Sequence, residues 1–254
     1  LTQNDCVGIL NHMETNRYAA QMLIDGFNQE ALSVASVTVV GAGGIGSPLL
    51  YYLVAAGVGN ITVIEYDKLD ESNLNRQILY SSDEVGSPKL DSAVKRLKSL
   101  NPHVNIKGIG KKLTKENTDI LGKPDIIVDA LDNFDARFIL NEYAVANDIP
   151  LIHGAIEGFY GRVTTIIPRK TACLQCMYPK RPKLEKPFPV IGTIAGVVGV
   201  IEANEVIKLL TGIGDTLAGK LLMIDMKHNS FSTIELHRQA SCPICGRSPT
   251  NSHV

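Results

Sequence analysis

Residues 37–48 read Val37-Thr38-Val39-Val40-Gly41-Ala42-Gly43-Gly44-Ile45-Gly46-Ser47-Pro48, an apolar run that passes through a glycine-rich turn into helix-like sequence. Gly41, Gly43 and Gly46 form G-x-G-x-x-G. The first glycine permits a tight turn, the second lets a phosphate approach the backbone, and the third allows close packing of helix on strand. Free amides and the positive end of the helix dipole then face an anion. A helix over 48–56 and a strand over 61–66 complete a βαβ unit. Glu65 ends that second strand about twenty residues on, where an acidic side chain accepts bonds from ribose hydroxyls.

Outward from this unit, Leu90, Ala93, Val94 and Leu97 share one face of a helix over 89–100, stopped by Asn101-Pro102. Strands are predicted over 104–109 and 125–130, a helix over 135–147 and a strand over 150–153. That alternation favours a largely parallel sheet flanked by helices, a Rossmann-like α/β fold. Beyond it, strands over 161–168, 221–226 and 231–236 read as antiparallel additions. A Lys- and Pro-rich loop over 179–189 precedes a long apolar helix over 192–210. Residues 1–34 read as a polar, partly helical arm, with Tyr18, Met22, Leu23 and Phe27 near helical spacing. Residues 35–254 then form one domain.

Lys+Arg 25 against Asp+Glu 26 argues against a broad electrostatic surface for nucleic acid or membrane. The longest apolar run, 188–201, is short beside the roughly 20 residues of a bilayer span. No signal peptide is visible, so the expected location is cytoplasmic.

The glycine turn alone leaves the nucleotide open, and an NAD-dependent oxidoreductase fits it. A triphosphate needs more cations than a dinucleotide. Arg76, in Glu71-Ser72-Asn73-Leu74-Asn75-Arg76-Gln77, and Lys89, in Gly86-Ser87-Pro88-Lys89, can supply them. Asp132 lies just past a strand, at the carboxyl edge where α/β ligands bind, and can hold Mg²⁺ against phosphate oxygens. The plainer readings are surface charges for Arg76 and Lys89 and a helix cap for Asp132. His153 reads as a hydrogen-bonded core histidine; Arg137 and Tyr160 stay open. Four of the five cysteines form two C-x-x-C knuckles, Cys173/Cys176 and Cys242/Cys245. They fit a closed, tetrahedral zinc site, with a redox pair or unrelated buried thiols as alternatives.

With VVGAGGIGSP, ESNLNRQIL, VGSPK, DALDNFDAR, HGAIEGFYGRV, CLQC and CPICG in order, the chain resembles the MoeB/ThiF/HesA family of E1-like activating enzymes over roughly 17–246. The resemblance implies ATP and Mg²⁺ binding, adenylation of a carboxylate with release of pyrophosphate, a Cys₄ zinc and a homodimer. By motif position, Gly41, Gly43, Gly44, Gly46, Asp67 and Gln77 belong to the nucleotide site. Glu65 would hold the ribose, Asn73, Arg76 and Lys89 the phosphates, and Asp132 the metal.

Two departures stand out. Many members carry a transfer cysteine before the long apolar helix, where this chain reads Leu184-Glu185-Lys186-Pro187-Phe188-Pro189-Val190. Without a thiol, covalent transfer there is unavailable, and the acyl adenylate is handed on to a downstream acceptor protein. The family's Arg-Tyr-x-Arg-Gln appears as Arg17-Tyr18-Ala19-Ala20-Gln21, so Ala20 removes a cation that reaches the neighbouring subunit's triphosphate in relatives. The implied substrate is a ubiquitin-like sulfur-carrier protein. A small-molecule carboxylic acid, as in the pyridinol-activating HcgE-like branch, is the alternative within the class. Outside it stand the NAD-dependent oxidoreductase and a silent binding module.

Overall fold

The computed structural model describes residues 17–182 and 188–246. Cys6, the first part of the arm and residues 183–187 of the Lys/Pro loop lie outside the described residues. Among the described residues eight strands form one mixed sheet: β1 (Ser36–Val40), β2 (Asn60–Ile64), β3 (Asn105–Ile109), β4 (Ile126–Asp129), β5 (Leu151–Glu157), β6 (Tyr160–Ile166), β7 (Lys220–Asp225) and β8 (Ser230–Glu235). Their order is β3-β2-β1-β4-β5-β6-β7-β8. The first five run parallel, and β5 to β8 pair antiparallel. Val, Ile and Thr fill the parallel strands because both faces are covered, which favours β-branched side chains.

The helices are α1 (Ala19–Met22), α2 (Gln29–Val34), α3 (Gly46–Ala56), α4 (Lys89–Leu100), α5 (Phe134–Ala146), α6 (Leu174–Met177) and α7 (Gly192–Thr211). One core joins α3, α4 and α7 to the sheet through Leu49, Leu53, Ala93, Leu97 and Val198. A second lies on the opposite face, around Phe138 and Leu140 of α5. No helix among the described residues is long and apolar enough to cross a membrane; α7 buries Glu202 and Glu205 within its length.

Chain direction fixes where a ligand belongs. After β1 the chain builds β2 and β3 on one side, then crosses to place β4 on the other. The reversal opens a crevice at the carboxyl ends of β1 and β4, the topological switch point where open α/β sheets bind ligands.

One expectation needs correction. The strand predicted to stop at His153 continues to Glu157 as one arm of a hairpin with β6. Gly154 is there for space, because a Cβ would sit 2.5 Å from Glu202 Oε1 of α7. The four arm residues at helical spacing do not share one environment: Tyr18 is buried, while Leu23 is 87% exposed. α1 is a single turn, too short to keep its residues on one face, and the fully buried Leu32 of α2 joins the core.

Candidate active site

A cavity of about 1050 Å³ fills the switch-point crevice. Gly41, at φ +102, forms its floor: a Cβ there would lie 2.5 Å from the Ala130 carbonyl oxygen, and one on Gly46 would lie 2.2 Å from the Gly41 carbonyl. Both positions exclude a side chain through packing. Over Gly43 the nearest atom is Gln77 Nε2 at 3.6 Å, so its open side faces the cavity. The Ala42 peptide is clamped from two directions. Its N–H donates to Glu65 Oε2 at 2.9 Å, and its carbonyl accepts from the buried Tyr80 hydroxyl at 2.8 Å. Glu65 Oε1 also accepts the amides of Tyr66 and Asp67, both at 2.8 Å. Three of its roughly four acceptor positions are therefore taken, and Glu65 shapes the turn besides facing the cavity.

Arg76, Lys89 and Asp132, which are 13 to 56 positions apart in sequence by their numbers, all line this cavity. Lys89 opens α4, is buried, and has the half-exposed Asp67 carboxylate at 3.7 Å. A buried ammonium with so distant a partner favours a further anion beside it. Arg76 donates to the Ser72 carbonyl at 2.9 Å and Asn75 Oδ1 at 3.0 Å, which directs its guanidinium along the cavity wall. Asn73 is held in a capping box with Asp70. Gln77 is buried, and its Oε1 has no protein partner. Asn133, not Asp132, caps α5, accepting the Ala136 amide at 2.9 Å. Burial first, then Asp67, Asp132 and Glu65, raise the pKa of the Tyr66 hydroxyl. Asp67 and Asp132 both line the cavity, and carboxylate oxygens are the donors that suit a hard divalent cation.

The cavity also contains residues that the sequence reading did not single out. Lys111 and Lys112 follow β3, and their position just past a strand end was the available signal. Farther along, Arg137, left open by the sequence, joins Phe134, Tyr178 and Arg162 in a continuous wall. Arg137 stacks 5.4 Å from the Phe134 centroid, Phe134 meets Tyr178 edge-on at 5.4 Å, and Arg162 donates to the Tyr178 hydroxyl at 3.4 Å. Phe188, Pro189 and Val190 line the opposite side, where the Gly158 amide donates to the Pro189 carbonyl at 2.7 Å. No cysteine lines the cavity among the described residues.

The four knuckle cysteines gather elsewhere, buried and free of disulfides. Their sulfurs all lie within 4.8 Å of one another, with Cys173–Cys242 at 3.7 Å and Cys176–Cys245 at 3.3 Å. Tetrahedral zinc with bonds near 2.3 Å sets sulfurs roughly 3.8 Å apart, so the cluster fits the ion. Burial pushes the Cys242 thiol up, but the amides of Cys245 and Ile244 together with hydrogen bonds to the Cys176 and Cys245 side chains hold the group down to about 7. Asn141 of α5 braces the first knuckle by accepting the Leu174 amide at 3.0 Å.

The sequence profile described as the ThiF family matches residues 16–244. The chain belongs to the ThiF family. Among its relatives, the sulfur carrier protein adenylyltransferase of Thermus thermophilus is 43% identical over 256 residues, spanning 95% of this chain and 94% of that protein. The SAMP-activating enzyme E1 of Haloferax volcanii is 36% identical, spanning 96% and 93%. The fold is similar to that of E. coli MccB solved with ATP, at a TM-score of 0.82 and 24% identity, covering 93% of this chain and 75% of that one. Membership makes the chain an enzyme, an E1-like adenylyltransferase. In this ThiF-family chain neither Arg17 nor Ala20 lines the crevice. Arg17 instead donates to the Leu100 carbonyl at 3.0 Å.

Proposed function

We propose that the chain joins a substrate carboxylate to AMP, and that this carboxylate is the C-terminal glycine of a ubiquitin-like sulfur-carrier protein. The carrying observation is the convergence of the glycine turn, Arg76, Lys89 and Asp132 in one crevice. The names and near full-length coverage of the Thermus and Haloferax relatives support the carrier protein as substrate.

The chemistry needs no dedicated base. A carboxylic acid with a pKa near 4 is ionised at neutral pH and is itself the nucleophile. Its oxygen attacks the α-phosphorus of ATP in line; the bond from that phosphorus to the bridging oxygen breaks, and its electron pair leaves with pyrophosphate. The amides of the glycine turn orient the phosphates, while Arg76 and Lys89 stabilise the charge that builds on the leaving group. Glu65 accepts a ribose hydroxyl at its remaining position, and Asn73 and Gln77 border the phosphates. Asp132 would hold Mg²⁺, with Asp67 nearby, and the ion would neutralise phosphate oxygens. The four cysteines would hold zinc as a structural tie between the segment after β6 and the C-terminal knuckle.

With no thiol lining the cavity among the described residues, the acyl adenylate is the end product and passes to an acceptor protein. That same feature favours the second reading, in which a small-molecule carboxylic acid is adenylated. One adenylation domain over residues 35–254, and a homodimer taken from the family resemblance, complete the proposal. Exchange of labelled pyrophosphate into ATP tests it. Exchange is expected with a sulfur-carrier protein ending in Gly-Gly. Exchange with small acids alone would transfer the proposal to the second reading, and exchange with neither, alongside tight NAD⁺ binding, would overturn both.

A further inference from the structure

Asp129 and His153 beneath the crevice, with Arg137 in its wall, are three buried polar side chains that the adenylation chemistry does not use. The parallel register of β4 and β5 sets Asp129 opposite His153, and both are fully buried. His153 Nδ1 meets Asp129 Oδ2 at 2.6 Å. Burial lowers the histidine pKa against the opposing pull of Asp129, so the ring is neutral and Nδ1–H donates. Asp129 Oδ1 accepts the Leu131 amide at 3.1 Å. Arg137 of α5 completes the arrangement: its Nη2 donates to the Leu131 carbonyl at 2.6 Å and the Gly154 carbonyl at 3.2 Å, and its Nε lies 3.7 Å from Asp129 Oδ2.

Apart from the Arg137 bond to Gly154, the links meet at one residue, Leu131, on the two peptides that flank it. The N–H of Leu131 is held by Asp129 and its C=O by Arg137, while His153 and Arg137 hold Asp129 from two sides. Leu131 immediately precedes Asp132. A buried carboxylate is costly to keep where an apolar residue would pack, unless its bonds set a geometry. We infer that His153, Asp129 and Arg137 are positioning residues that fix the turn of residues 131–133 and thereby aim Asp132 into the crevice. His153 acts at a distance, through one hydrogen bond to Asp129 and a second from the Leu131 amide to Asp129, one residue before Asp132. The inference deepens the proposed function and rests on it for the role of Asp132.

The test pairs His153→Leu, which keeps bulk and loses the donor, with His153→Asn, whose amide can replace Nδ1–H. The first readout is hydrogen–deuterium exchange over residues 130–134 in protein free of nucleotide and metal. The second is the Mg²⁺ dependence of pyrophosphate exchange. His153→Leu is expected to lose protection at the Leu131 amide and to need about 10-fold more Mg²⁺ for half-maximal exchange, the usual scale for residues that orient a metal ligand. The substrate KM should stay near wild type, and His153→Asn should restore both readouts. Wild-type protection in His153→Leu, or an asparagine variant as impaired as the leucine one, overturns the inference. Lost protection with unchanged Mg²⁺ dependence instead refutes Asp132 as the metal ligand and leaves the fixing of the turn standing. If His153→Leu does not fold, Arg137→Lys serves with the same readouts, since an ammonium cannot span both carbonyls.

Discussion

The crevice above β1 and β4 and the cysteine cluster beside α5 both concentrate groups that carry charge or take it on, yet they satisfy those groups differently. In the cluster, four sulfurs are buried within bonding range of one small ion, and backbone amides already favour the thiolate at Cys242. In the crevice, Lys89 has an acid only at 3.7 Å, Gln77 keeps a bare oxygen and the space over Gly43 is open. A closed set of ligands suits a resident ion. An open set with unmet bonding capacity suits a molecule that arrives, reacts and leaves.

That contrast can be broken most sharply at the cations. Arg76→Ala should lower the rate of pyrophosphate exchange by about 10²–10³-fold, the scale of one lost charge-stabilising donor, with little change in Tm. Lys89→Ala should do the same. Retained exchange in both variants would remove the open-site reading. In the cluster the pattern reverses: Cys242→Ala, or exhaustive chelation, should remove stoichiometric zinc and lower Tm by roughly 10 °C, as loss of a few kcal/mol does in a domain of this size. Folded, zinc-free wild-type protein of unchanged Tm would contradict the closed-site reading.

A smaller effect lies in α7. Glu202 is fully buried with both oxygens unpartnered, and burial first, then Asp129, raises its pKa well above 4.5. The folded protein therefore keeps a proton that the unfolded chain releases as pH rises past 4.5. Stability falls with rising pH in that window, by up to about 1.4 kcal/mol per unit. Glu202→Gln should flatten this slope, and equal slopes in the two proteins would show that Glu202 stays ionised. Smallest of all, Cys6→Ala should leave both zinc content and Tm unchanged.

How much the sequence disclosed depended on the range of the interaction. The glycine turn was legible because a few adjacent residues carry its whole stereochemistry, and the knuckles were legible because C-x-x-C spacing alone brings two sulfurs together. Arg76, Lys89 and Asp132 were each weak in isolation; parallel strand order gathers them, and family motifs supplied that order ahead of the structure. The continuation of β5 past Gly154 was hidden because a close-packed glycine and a strand-breaking glycine look alike until Glu202 is seen above it. The link between His153 and Asp129, 24 positions apart, arises only from the β4–β5 register. Lys111 and Lys112 lacked a motif and were passed over, although their place just beyond β3 marked them.

The central claim is that the glycine turn and the two cations together hold a triphosphate. A crystal structure of the protein with Mg²⁺ and a non-hydrolysable ATP analogue tests it most directly. The account predicts phosphate oxygens within hydrogen-bond distance of the amides near Gly43, of Arg76 and of Lys89, with the metal on Asp132. Nicotinamide dinucleotide binding in the same crevice, or Arg76 and Lys89 turned away from the phosphates, would contradict it.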